Sequence, residues 1–107
     1  MKLLTKEIIK KLPALYSQEQ VADPQAVVKF FTPSSSFTWF VLEGGEQEGG
    51  EQEGGDWLFF TKCFSHLCPD GELGYTTLQQ LKDIKGPFGL GVERDLYFTP
   101  KPVSQCR

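Results

Sequence analysis

Three short stretches of this sequence carry side chains able to do chemistry. Cys63, His66 and Cys68 form a Cys-x2-His-x-Cys cluster of the ligand types zinc prefers. A structural zinc takes four ligands, and neither a fourth ligand nor a paired Cys-x2-Cys spacing lies nearby, so no metal site and no cofactor is expected. As a Cys–His nucleophile the cluster lacks an orienting partner and an oxyanion motif. Cys63 reads instead as a small thiol within a strand, and His66 as a loop residue. The second stretch is Glu93-Arg94-Asp95. In an extended strand Glu93 and Asp95 share a face, as an acid/base pair would require, but no second catalytic element accompanies them. Arg94 between two acids reads as a local salt bridge, or as a tie holding the C-terminal segment against the first helix, with a binding role as the alternative. The third stretch, Gly86-Pro87-Phe88-Gly89-Leu90-Gly91, starts no helix and has no Gly-Lys-Ser/Thr ending. It reads as a turn anchored by Phe88 and Leu90.

Charge adds two further candidates. Lys2, Lys6 and Lys10 recur every four residues and predict a basic line on the first helix. That line reads as a solvated face, with a contact to nucleic acid or an acidic partner as the alternative. The net charge of -3 is concentrated in residues 43–56, which hold Glu43, Glu46, Glu48, Glu51, Glu53 and Asp56 and no base. Setting these six aside leaves eight acids against eleven bases, so the remainder is mildly basic at +3. Gly44-Gly45-Glu46-Gln47-Glu48 is copied as Gly49-Gly50-Glu51-Gln52-Glu53, and a third copy begins at Gly54. With no apolar residue to bury and repelling like charges, residues 43–56 are expected to form a long, flexible acidic hairpin loop. Its spacing is not that of an EF-hand calcium loop.

The elements that must position these residues follow from periodicity. Leu4, Ile8, Leu12 and Leu15 recur at helical spacing behind a Thr5 N-cap, and Pro13 ends the helix near Leu12. Residues 26–31 and 37–42 predict two strands joined by a short turn, hence an antiparallel hairpin whose phase is blurred by consecutive aromatics. Residues 57–64 predict a third strand paired with 37–42. Pro69-Asp70-Gly71 predicts a turn, and 72–75 a short fourth strand. Thr76 or Thr77 caps a second helix carrying Leu78, Leu81 and Ile84, stopped by Gly86-Pro87. The tail with Pro100 and Pro102 is expected to be extended, and Cys106 mobile. The sum is a single α+β domain over residues 1–107: an antiparallel sheet of three to five strands packed by two helices.

Nine Phe, three Tyr and two Trp supply enough apolar surface for a core. They are not interleaved with Lys or Arg as in single-strand nucleic-acid binders, so core packing is the expected role, and any exposed remainder should bind protein. No apolar run approaches the ~20 residues of a membrane helix. The N-terminal apolar stretch is broken by Glu7 and Lys10, and three sparse cysteines suit a reducing compartment. A cytoplasmic location with no membrane partner is therefore expected.

Several of these segments together resemble a known family. They are Met1–Lys6 with Leu12-Pro13 and Leu15-Tyr16, Val28–Phe31, Phe37-Thr38-Trp39, Glu72–Tyr75 with Leu78 and Leu81, Gly86–Leu90, and Val92–Phe98. They are similar to a small bacterial family of uncharacterised proteins carried by plasmids, integrative elements and phages, often near conjugation or anti-restriction genes. The resemblance covers nearly the whole chain apart from the repeat, and it departs at Cys63, His66 and Cys68, where a glycine-containing stretch is the family's habit. It carries no catalytic residues. It implies a non-enzymatic accessory protein that binds another protein, for example an inhibitor of a host defence nuclease of the anti-restriction or anti-CRISPR type. On that reading the repeat engages a basic nucleic-acid channel. Glu93, Arg94, Asp95, Lys2, Lys6 and Lys10 are the candidate binding residues, with Glu46, Glu48, Glu51 and Glu53 in the acidic loop. The alternatives are a nucleic-acid-binding protein of plasmid or conjugative-element maintenance, and a small enzyme using Glu93 with Asp95 or Cys63 with His66.

Overall fold

The computed structural model describes residues 2–47, 56–86 and 89–107. Thr5 accepts from the Ile8 amide and starts α1 (Lys6–Lys11), which gives way at Leu12 before Pro13. There follow β1 (Gln25–Ala26), β2 (Val28–Phe31), β3 (Thr38–Gln47), β4 (Asp56–Ser65) and β5 (Cys68–Thr77). Thr77 and Gln80 form a reciprocal capping box that opens α2 (Leu78–Asp83). The chain ends with β6 (Glu93–Arg94), β7 (Lys101–Pro102) and a 3-10 turn over Val103–Gln105. β5-β4-β3-β2-β6 make one sheet with antiparallel pairings throughout, and β1 pairs with β7 in a separate two-stranded ribbon.

Both faces of the large sheet are covered. Trp39, Phe40, Val41 and Leu42 are all buried, although successive side chains of a strand point in opposite directions. On one face Val28, Phe30, Trp39, Val41 and Phe59 meet Leu3 and Leu4 from the N-terminal segment and Leu78 and Leu81 from α2, with Ile8 of α1 against them. The Phe30 and Phe59 rings cross edge to face at 5.8 Å. On the other face Phe40 and Leu42 meet Ala26 and Cys106, with Phe60, Phe64, Phe98 and Val103 around them. Two-sided burial is why the hairpin's alternation is unreadable in the sequence. Both predicted helices lie with the first core. The cover of the second comes from the C-terminal segment, not a helix.

Several expectations are corrected. The strand expected at 26–31 divides, because residues 25–26 leave β3 to pair with 101–102, while the Val27 amide still reaches the Val41 carbonyl at 2.9 Å. The tail is therefore paired as well as extended, and Cys106 is buried rather than mobile. The β4–β5 turn falls at His66-Leu67, not at Pro69-Asp70-Gly71. Ser65 Oγ accepts from the Leu67 and Cys68 amides, and Ser36 Oγ from the His66 amide, which fixes the turn early. Pro69 then sits in β5, an edge strand where a missing N–H is tolerated. Gly71 has φ +85, and a Cβ there would lie 2.7 Å from Lys62 Cε.

The acidic stretch is corrected at both ends. Glu43–Gln47 belong to β3 and Asp56 to β4, paired out to Gln47 opposite Asp56. Asp56 Oδ1 accepts from the amides of Trp57 and of Gln79 in α2, tying that helix to the strand. Glu48, Glu51 and Glu53 lie outside the described residues.

The tail is held by Asp23, whose carboxylate accepts from Ser104 Oγ at 2.6 Å and from the Ser104 amide at 3.0 Å. These two bonds lower the Asp23 pKa from the ordinary carboxylate range. A depressed carboxylate pKa contributes stability that is complete above the unfolded-state value and lost as pH falls through the folded one. Asp23→Asn should therefore lower the melting temperature at neutral pH, and its difference from the parent should shrink to nothing as acid protonates Asp23, as followed by circular dichroism.

Candidate functional site

β3 runs past the end of β2. Its neighbour β2 stops at Val28 opposite Val41, leaving the other edge of 42–47 without a strand. The segment after α1 fills this edge, with the Gly44 amide donating to the Pro13 carbonyl at 3.0 Å. The approach is close: a Cβ on Gly44 would lie 3.0 Å from Leu12 Cδ1, and one on Gly45 2.9 Å from Leu15 Cδ1. A bulge between Val41 and Glu43 turns Leu42 and Glu43 toward the same side of the sheet. Glu43 is 2 % exposed, and its two carboxylate oxygens accept from the Tyr16 amide at 2.8 Å and the Gln18 amide at 2.9 Å. Charge-assisted bonds of this kind are what a buried carboxylate requires. They hold Tyr16 at φ +68, the left-handed region that a bulky side chain enters only under constraint.

Tyr16 so held places its ring 6.4 Å from that of Tyr75 on β5, and Tyr75 packs in turn on Phe60 at 4.9 Å. Beside them a groove of about 790 Å³ opens between the 18–24 segment and β4–β5. Its floor includes Leu42, Phe60 and Val103. Its walls leave apolar surface in water: Leu73 is 58 % exposed, Tyr75 50 % and Val21 45 %, with the half-exposed Tyr16 ring beside Tyr75. Glu19, Glu43 and Asp70 line it against a single base, Lys62. Desolvation, followed by the charges of Tyr16, Glu43 and Glu19, pushes the Tyr75 phenol up, so it keeps its proton and remains a donor.

The residues singled out from sequence lie elsewhere. Arg94 Nη1 donates to the carbonyls of Lys2 at 2.8 Å and Leu3 at 3.5 Å, tying β6 to the segment that leads into α1. Asp95 pairs with Lys29 at 3.5 Å and accepts from the Tyr97 amide. Glu93 stands opposite Phe31 in the sheet. Arg94 and Asp95 line a smaller cavity of about 270 Å³ with Glu7, Lys11 and Leu96. Lys6 and Lys10 are exposed on α1, but Lys2 precedes the helix in non-helical backbone, so the predicted three-lysine helical line is not formed. Glu46 is an exposed β3 residue opposite Trp57.

Cys63, His66 and Cys68 are not brought into one cluster. His66 Nδ1 lies 2.8 Å from Ser36 Oγ, and Cys68 Sγ donates to Glu72 at 3.2 Å. The Glu72 bond and then burial raise the Cys68 pKa, and burial raises that of Cys63, so both thiols stay protonated, unlike an activated nucleophile. No group of three His, Cys, Asp or Glu placed to hold a metal occurs among the described residues. Most of the large aromatics are spent in the two cores rather than on an open stacking platform. No helix among the described residues is long and apolar enough to cross a membrane.

The groove residues went unrecognised in the sequence. One signal was present: Leu73 and Tyr75 alternate on a strand with Gly between them, which leaves two apolar groups on one face. The rest of the site depends on Glu43 reaching across 27 residues to Tyr16, which no local pattern announces.

A family model described as "Protein of unknown function (DUF2958)" matches residues 3–105, nearly the entire chain and through the repeat, and the chain belongs to that family. No curated protein and no solved structure matches the chain.

Glu43→Gln keeps the shape of the side chain but offers one acceptor oxygen to two amides and turns an NH2 toward the other. It should destabilise the fold by about 1–3 kcal/mol, the range for leaving a buried polar group unsatisfied. Glu46→Gln on the exposed face should stay within about 0.5 kcal/mol of the parent. Urea unfolding of both variants measures the contrast.

Proposed function

We propose that this DUF2958 member is a non-enzymatic accessory protein that acts by binding another protein, through the groove walled by Val21, Leu73 and Tyr75. The observation that carries the proposal is that three exposed apolar side chains, Val21, Leu73 and Tyr75, share one concavity whose floor is continuous with the core. A concavity lined by apolar side chains with a few polar groups at its edge is the usual form of a binding site. Aromatic side chains at the mouth suit this use, since they bury large area at low entropic cost.

The mobile-element setting belongs to the same proposal. It rests on the sequence resemblance, and its concrete form is inhibition of a host defence nuclease of the anti-restriction or anti-CRISPR type. The protonated thiols of Cys63 and Cys68 and the engagement of Asp95 by Lys29 support a binding role over a catalytic one. Burial of Trp39 and Phe40 in opposite cores, together with the position of Lys2 outside α1, supports a protein partner over nucleic acid.

Affinity capture from the host, with and without nuclease treatment, tests this when run beside a Leu73→Asp/Tyr75→Ser double variant. A partner protein should survive nuclease treatment and disappear with the double variant. Capture that depends on nucleic acid, or that is indifferent to the groove, would overturn the proposal. Deleting 48–55, which spares the β3 residues 44–47, isolates any contribution of the repeat; unchanged capture would assign it none.

A further inference from the structure

The groove also carries information about what it holds. We infer that its occupant is an extended basic segment of the partner protein, with Lys or Arg side chains alternating with apolar ones; this rests on the protein-binding reading above. Three features of the site converge on it. First, the rim is acidic within a fold that is otherwise mildly basic: Glu19 and Asp70 are exposed carboxylates at the groove, and among the described residues Lys62 is the one base lining it. Glu72 turns its carboxylate to the opposite face, where it accepts from Cys68 Sγ. The Lys62 ammonium lies over the Phe64 ring, 5.5 Å from its centroid. Glu43 adds a further negative charge beneath the rim, its oxygens already bound by two amides.

Second, the walls suit the stems of such residues. Lys and Arg lay aliphatic chains along apolar surface while the charged head stays wet. Here Leu73, Tyr75 and Val21 offer that surface within the same concavity as the carboxylates. The Tyr16 and Tyr75 rings, tilted at 53° to each other, add two faces able to receive a guanidinium.

Third, the site lies on an open strand. Among the described residues β5 has β4 as its single neighbour in the sheet, which leaves its outer backbone edge open to pair. An extended segment added there presents every second side chain to one face, in step with Leu73 and Tyr75. Pro69 and the left-handed Gly71 limit such pairing to the later half of the strand.

The test uses the full chain and two short peptides, one alternating arginine with leucine and the other glutamate with leucine, followed by amide chemical shifts and titration calorimetry. The arginine peptide should bind, shift amides over residues 72–76, and weaken as added salt brings the Debye length below ~10 Å. Glu19→Gln/Asp70→Asn, both at exposed positions, should weaken it about fivefold, the sum expected for two exposed ion pairs, and Glu72→Gln, on the opposite face, should leave it unchanged. The repeat is intact in all these proteins, so the difference reports the groove. The glutamate peptide should not bind. Equal binding of the two peptides, shifts elsewhere, or indifference to the Glu19/Asp70 variant would overturn the inference. If the captured partner is lost with the Leu73/Tyr75 variant while the arginine peptide fails to bind, the groove binds protein by other chemistry, and only this inference falls.

Discussion

The middle strand of this protein cannot be covered from one side. From Trp39 to Gly44 every residue of β3 is buried, and because neighbouring side chains point in opposite directions, two layers must be supplied. The chain supplies them from its ends. Residues 3–12 and α2 close one face, and the C-terminal segment closes the other through Phe98, Val103 and Cys106. The polar ties follow from the same need. Arg94 fastens β6 to the N-terminal layer, and Asp23 fastens the C-terminal one. Neither tie makes sense without the two-sided sheet between them.

That arrangement also explains where the groove falls. The C-terminal cover is short and spans the middle of its face, leaving the β4–β5 side uncovered beyond Val103. Into that opening the chain sends the 16–22 turn, held by the Glu43 carboxylate, and the groove is the space between turn and strand. Glu43 therefore acts as a positioning residue: it holds Tyr16 in a conformation the side chain would not adopt alone and sets it against Tyr75. The groove and the most buried carboxylate among the described residues are one construction.

Local signals in the sequence were reliable where the structure is local. Thr5 and Thr77 cap the two helices, Pro13 ends the first, the short turn joins β2 and β3 as a hairpin, and β4 pairs with β3 as expected. What escaped reading is non-local. The His66-Leu67 turn wins over Pro69-Asp70-Gly71 because of hydroxyls from Ser65 and, 30 residues away, Ser36. Glu43 and Asp56 read as the ends of a solvated acidic run, since composition does not distinguish a repelling carboxylate from one bound by amides. The Glu93-Arg94-Asp95 cluster was legible as a tie but drew attention from β5, whose alternating Leu73 and Tyr75 were the quieter signal.

The proposal made above places a protein partner on the acid-rimmed groove. Hydrogen–deuterium exchange of the protein alone and in complex with that partner tests it directly. New protection is expected over residues 16–22 and 70–76, with residues 93–98 and α1 unchanged. Protection confined to 93–98 and α1, around the smaller Arg94–Asp95 cavity, would contradict it.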